Sequence, residues 1–168
     1  MENIICKANA LVKRYKTRNP FELAEYLNIT IKYGEFSKLK GFYNYSYRNR
    51  FIVLNSRLDE AEQIITCCHE LGHDRLHRSI AKLGLMKDYN IYSISDTCEI
   101  EANLFTAQLL IDDNDIFDYA TMGYTSSQIA AELNVHEELI LMKATILNKQ
   151  GHKFTIPYIP DLNYLGKK

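Results

Sequence analysis

The chain has 168 residues, 46% of them hydrophobic and 24% charged, enough to bury one sizeable core and without a polar or Pro/Gly-rich stretch that would divide it into domains. A net charge of -1 gives no clustered cationic surface for phosphate neutralisation, so tight nucleic-acid or membrane-surface binding is not expected. No run is long and apolar enough for a membrane span or signal core, and the four cysteines lack CxxC spacing, which together fit a reduced, cytoplasmic protein.

Taken in chain order, residues 2–15 and 20–27 read as helices, the second capped by Asn19 with Pro20 in the first helical position, where its missing N–H costs nothing. Three β-rich segments follow, at 29–33, 41–47 and 50–55, the last two joined by a tight turn at Arg48-Asn49. They suggest a small antiparallel sheet. Tyr43, Tyr45 and Tyr47 share one face of the middle strand, where packing on the flanking helices is favoured over lining a substrate groove.

Ser56 or Asp59 can cap a long helix over about 60–80. After a linker at 84–95, Asp96 offers a cap for a helix over 97–110, and Asp112, Asp113 and Asp115 end it and open a shorter one. Two further helices start from Thr125. Over 123–148 they resemble a helix-turn-helix, but the second one presents His136, Glu137 and Glu138 with only Lys143 as a cation before its end, and acidic residues oppose approach to phosphates. The whole chain, 1–168, therefore reads as one α+β domain, mainly helical, with a small antiparallel sheet packed on the 60–80 helix.

That helix contains His69-Glu70-Leu71-Gly72-His73, an HExxH motif. Positions i and i+4 lie one turn apart on one face, so both imidazoles can reach one metal ion, and Glu70 beside them suits a general base that is not itself a ligand. At roughly 100° per residue, Thr66, His69, Glu70, His73 and His77 occupy one sector while Ile64, Ile65, Cys67, Cys68, Leu71 and Leu76 fill the remaining arc. A chance match to five residues would not also clear bulky apolar side chains from the metal-facing side. His77 continues the row, yet no Gly follows where a three-histidine site would turn the chain, so it reads as an outer-sphere or substrate-facing residue.

A catalytic zinc takes three protein ligands and keeps one position open. The 97–110 helix offers Glu99 and Glu101; Glu99 shares a stripe with Asn103 and Thr106, whereas Glu101 lies roughly opposite with Gln108. Glu99 is therefore the preferred third ligand, Asn103 an outer-sphere or substrate-facing hydrogen-bonding group, and Glu101 the fallback. Cys67, Cys68 and Cys98 adjoin these residues but point elsewhere on the wheel and read as small buried hydrophobes. Tyr43, Tyr45, Tyr47, Tyr89, Tyr92 and His77 are all chemically able to stabilise an oxyanion.

With HELGHDRLH at 69–77 and EIEANLFTAQLL at 99–110, the sequence resembles the ImmA/IrrE family of metallo-endopeptidases, in particular its short, ImmA-like type from mobile genetic elements. The resemblance runs from FIVLNSRL to GYTSSQIAAELNV, about residues 40–140. It implies a zincin-like fold and a gluzincin-like Zn²⁺ site at His69, His73 and Glu99, with Glu70 catalytic. It also implies a substrate, a helix-turn-helix transcriptional repressor whose cleavage derepresses a phage, mobile element or stress regulon. A metal-containing protein that sequesters the repressor without cleaving it is the alternative. Thr106, where the family often has Ala, and Ile111-Asp112, where it often has Pro, depart from the pattern without touching a ligand.

Overall fold

A computed structural model describes residues 1–82 and 92–158, with the side chains of 82 and 92–96 excepted. Helix α1 (Glu2–Tyr15) buries Ile4, Ala8 and Leu11, the i, i+4, i+7 row that its sequence supplies, and ends on Lys16 in the left-handed region at φ 58°. Helix α2 (Pro20–Tyr26) starts as expected, the Asn19 side chain accepting from the Phe21 N–H.

Strands β1 (Thr30–Gly34), β2 (Gly41–Ser46) and β3 (Asn49–Asn55) form a three-stranded sheet in the order β1-β3-β2. The expected α+β class, mainly helical with a small sheet, is the observed one, but the sheet is mixed. β2 is antiparallel to β3, whereas β1 runs parallel to it. The central position of β3 accounts for its near-continuous Phe51-Ile52-Val53-Leu54 run, since a strand paired on both sides and packed on a helix exposes little of either face. The β2–β3 turn is Tyr47-Arg48, both at positive φ, one residue earlier than the expected Arg48-Asn49. Register decides this: pairing Tyr43 with Ile52 and Tyr45 with Arg50 turns Tyr43 and Tyr45 toward the core, and a one-residue slip would turn them out. Tyr47, in the turn, is almost fully exposed.

Helix α3 (Glu60–Leu76) is capped by Asp59, whose carboxylate accepts from the Glu62 N–H, and lies against the inner face of the sheet, where Ile52 and Leu54 are fully buried. The expected continuation to residue 80 is interrupted. His77, at φ -120° and ψ 15°, ends α3, and α4 (Arg78–Lys82) starts from its carbonyl, which accepts from Ile80 and Ala81. The contact between sheet and α3 is tightest at Gly41, where an added Cβ would stand 2.7 Å from Thr66 Cγ2 and 2.8 Å from the Val53 carbonyl oxygen. Gly41→Ala is accordingly expected to destabilise the protein by about 1–3 kcal/mol through overpacking, read as a lower urea midpoint.

Helix α5 (Tyr92–Leu110) begins before the anticipated cap, so Asp96 lies inside it. It crosses α3 at Gly72, where an added Cβ would sit 3.2 Å from Ala102 Cα and 3.2 Å from Phe105 Cδ1; two small residues let the two helices carrying the motif approach. Helices α6 (Asp113–Thr121), α7 (Ser126–Glu132) and α8 (Glu137–Lys149) follow, the first capped by Asp112 and the second by Thr125 in a capping box with Gln128, while His136 precedes α8 without a side-chain capping bond. One hydrophobic cluster joins residues of α1, α2, the sheet, α3, α5, α6, α7 and α8. Most of α8 is buried, from Leu139 to Ala144 and at Ile146 and Leu147, leaving no broad face to enter a groove of DNA. Lys143, the cation that the sequence offered there, is fully buried, bonded to Gln108 Oε1 at 2.9 Å and paired with Asp113. Among the described residues no helix is long and apolar enough to cross a membrane.

Candidate metal centre

The polar row of α3 and the Glu99 end of α5 meet beneath the sheet. From Ile65 to Asp74 every residue of α3 is buried, so the histidines sit inside the protein with their packing faces covered by β3 and α5. His69 Nε2 and His73 Nε2 lie 3.1 Å apart, and Glu99 closes the triangle, with Oε2 at 3.1 Å from His69 Nε2 and Oε1 at 3.5 Å from His73 Nε2. Among the described residues these three form the group of ligand-type side chains able to hold one cation.

The geometry fits a metal. A tetrahedral ion with bonds of about 2.0–2.1 Å separates its ligand atoms by roughly 3.4 Å, close to the 3.1 Å between the two imidazole nitrogens and the 3.1 Å from His69 Nε2 to Glu99 Oε2. Two imidazole nitrogens facing each other and a carboxylate are also the donor set that zinc takes. Burial pushes the Glu99 carboxyl up, but the bonds and charge of His69 and His73 outweigh it and hold Glu99 well below the usual carboxylate range. A shift in that direction favours the carboxylate form that a ligand needs.

Glu70 is buried next to His69. Asn103 is fully buried one turn beyond Glu99, within the stripe that the wheel assigned it. His77 lies in neither a ligand position nor an open cleft: it is 3% exposed, with Nδ1 3.1 Å from His73 Nδ1 and Nε2 2.9 Å from Glu101 Oε2. Burial lowers its pKa, against the opposing pull of Glu101. The Glu101 contact is one that the helical wheel did not reveal, because it weighed Glu99 and Glu101 as rivals for one metal. A buried histidine one turn past the motif, in need of a partner, was the available signal.

Asp74, beside His73, organises the sheet side of the site. At 1% exposure it accepts from Tyr43 Oη at 2.9 Å, from Arg78 Nη2 at 2.7 Å and from Arg50 at 3.4 Å, and Arg50 also donates to the Leu27 carbonyl. Burial and the neighbouring Asp74 raise the Tyr43 pKa, keeping the phenol a donor. Tyr43 is thus committed to Asp74, and Tyr47 projects from the turn; Tyr89 and the side chain of Tyr92 lie outside the described residues.

Cys67, Cys68 and Cys98 are buried as free thiols. Burial raises all three, Cys98 to about 11 with Glu101 and Glu99 adding to the effect, so none is poised as a thiolate. An open groove lined by Ile64, Ile65, Leu110, Leu133 and Val135 borders the α7–α8 turn and includes none of the histidine-row residues.

The family model Peptidase_M78, described as the IrrE N-terminal-like domain, matches residues 24–145, from α2 into α8. A protein of Bacillus phage phi105 named uncharacterized immunity region protein 2 is 42% identical over 134 residues, which is 79% of this chain and 84% of the relative. The matched span carries both helices of the site, and the chain belongs to the IrrE N-terminal-like peptidase family.

Proposed function

We propose that the protein is a zinc-dependent endopeptidase of the cytoplasm that cleaves a helix-turn-helix transcriptional repressor, and so relieves repression of a phage, mobile element or stress regulon. The observation that carries the chemistry is the His69–His73–Glu99 triangle, its histidines buried and its glutamate half-buried, with Glu70 alongside, on a chain of a peptidase family. The choice of substrate draws support from the phage relative, whose name ties it to an immunity region, where a repressor is the expected component.

His69, His73 and Glu99 would hold the ion. When bound, zinc supplies Lewis acidity, polarising the scissile carbonyl and making water acidic enough to lose a proton near neutral pH. Glu70 takes that proton and passes it to the departing amine, so its carboxylate must be ionised before attack and protonated after it. Asn103 serves as an outer-sphere group toward a ligand or the substrate.

Glu99→Gln is expected to weaken zinc binding by more than the roughly 10–100-fold that loss of an outer-sphere partner costs, measured by competition with a chromophoric chelator. Retained affinity in Glu99→Gln together with loss in Glu101→Gln would reverse the ligand assignment. The function itself is tested by incubating a helix-turn-helix repressor encoded beside the gene with zinc-loaded and with chelator-stripped protein. Discrete repressor fragments in the zinc-loaded sample alone are the expected result. Repressor that loses operator binding yet stays intact would replace cleavage with sequestration.

A further inference from the structure

The site holds its two histidines unequally. His69 Nδ1 is buried with no hydrogen-bond partner among the described residues, whereas His73 Nδ1 faces His77 Nδ1 at 3.1 Å. The far nitrogen of His77 meets Glu101 Oε2 at 2.9 Å. Two nitrogens in contact need one proton between them, and the direction of that bond is fixed at the metal end. His73 turns Nε2 toward His69 and Glu99, so Nε2 must be bare to serve as a ligand and its proton must sit on Nδ1. His73 then donates to His77 Nδ1, and His77, bare at Nδ1, carries its proton on Nε2 and donates to the Glu101 carboxylate. The reverse order would put a proton on His73 Nε2 and exclude ligation.

We propose that His77 and Glu101 are positioning residues, forming a relay that runs from the Glu101 carboxylate through His77 to His73 and locks His73 in its metal-binding tautomer and orientation. This rests on the zinc-site reading above. A carboxylate behind a ligand histidine is a general way to orient the ring and raise its basicity; here a second histidine extends the carboxylate's reach. The division of labour follows from exposure. The Glu101 side chain is 40% exposed and lies within reach of water, while His77, 3% exposed at its side chain, carries the hydrogen bond inward. The break of α3 at His77 belongs to the same arrangement, since the residue that ends the helix is the one joining it to α5.

The test compares wild type with His77→Phe, which keeps the ring but removes both nitrogens, and with Glu101→Ala and Glu101→Gln. Zinc dissociation constants come from chelator competition, and imidazole tautomers from long-range ¹⁵N–¹H spectra of the zinc-loaded protein. In wild type His73 should be protonated at Nδ1 and His77 at Nε2. Glu101→Ala should weaken zinc by about 10–100-fold and release His77 from its single tautomer, with partial recovery in Glu101→Gln, whose carbonyl still accepts. His77→Phe should weaken zinc at least as much. A purely structural role for Glu101 would leave the tautomers unchanged. Wild-type affinity in the variants, or His77 protonated at Nδ1, would overturn the relay alone, whereas a wild-type protein that binds no zinc would overturn the site reading and the relay with it.

Discussion

Glu70→Gln is expected to slow the proposed repressor cleavage by about 10²–10⁴-fold while leaving the proposed zinc site filled. Gln matches Glu in shape, so the buried position beside His69 stays filled, and the three ligands are untouched. What it lacks is basicity: an amide cannot accept the proton that water gives up or return it to the leaving amine. The loss should therefore fall on kcat with little change in KM, in steady-state assays on the repressor. A variant as fast as wild type would remove Glu70 from the chemistry.

The largest stability effect is expected at Asp74. Asp74→Ala should lower unfolding free energy by about 3–5 kcal/mol, since it strips a buried carboxylate from Arg50, Arg78 and Tyr43 and leaves their polar groups without their acceptor. For a chain of this size that corresponds to roughly 6–20 °C in melting temperature. These contacts tie β2, β3 and α4 to the turn of α3 that carries His73, so the same variant should also loosen zinc. Asp74→Asn, which keeps an acceptor for Tyr43 but no charge for the arginines, should fall between the two, and calorimetry of all three proteins separates the contributions.

The parts of this molecule legible in its sequence are those set by local rules. The caps at Asn19, Asp59, Asp112 and Thr125 lie where side-chain oxygens precede apolar periodicity, because a cap is satisfied within three residues. The His69–His73 pairing follows from helix geometry, and Glu99 followed from asking which carboxylate a buried stripe would tolerate. Long-range choices were not legible. β1 joins β3 in parallel, with β2 intervening in the chain, a pairing that no turn residue announces. The stop at His77 has neither Gly nor Pro to mark it, and its side-chain partners, His73 and Glu101, meet it only in the folded chain. A helical wheel treats one helix at a time, so it sets Glu101 only as an alternative to Glu99 and does not show its contact with His77. Roughly 200° apart on α5, the two carboxylates reach different histidines of α3.

X-ray absorption at the zinc edge on the zinc-loaded wild-type protein tests the metal centre most directly. The predicted result is one tightly bound zinc per chain with nitrogen and oxygen neighbours at about 2.0–2.1 Å and the scattering pattern of two imidazoles, reduced to one in His69→Ala or His73→Ala. Sulfur at about 2.3 Å, drawn from Cys67, Cys68 or Cys98, or a wild-type protein that retains no zinc, would contradict it.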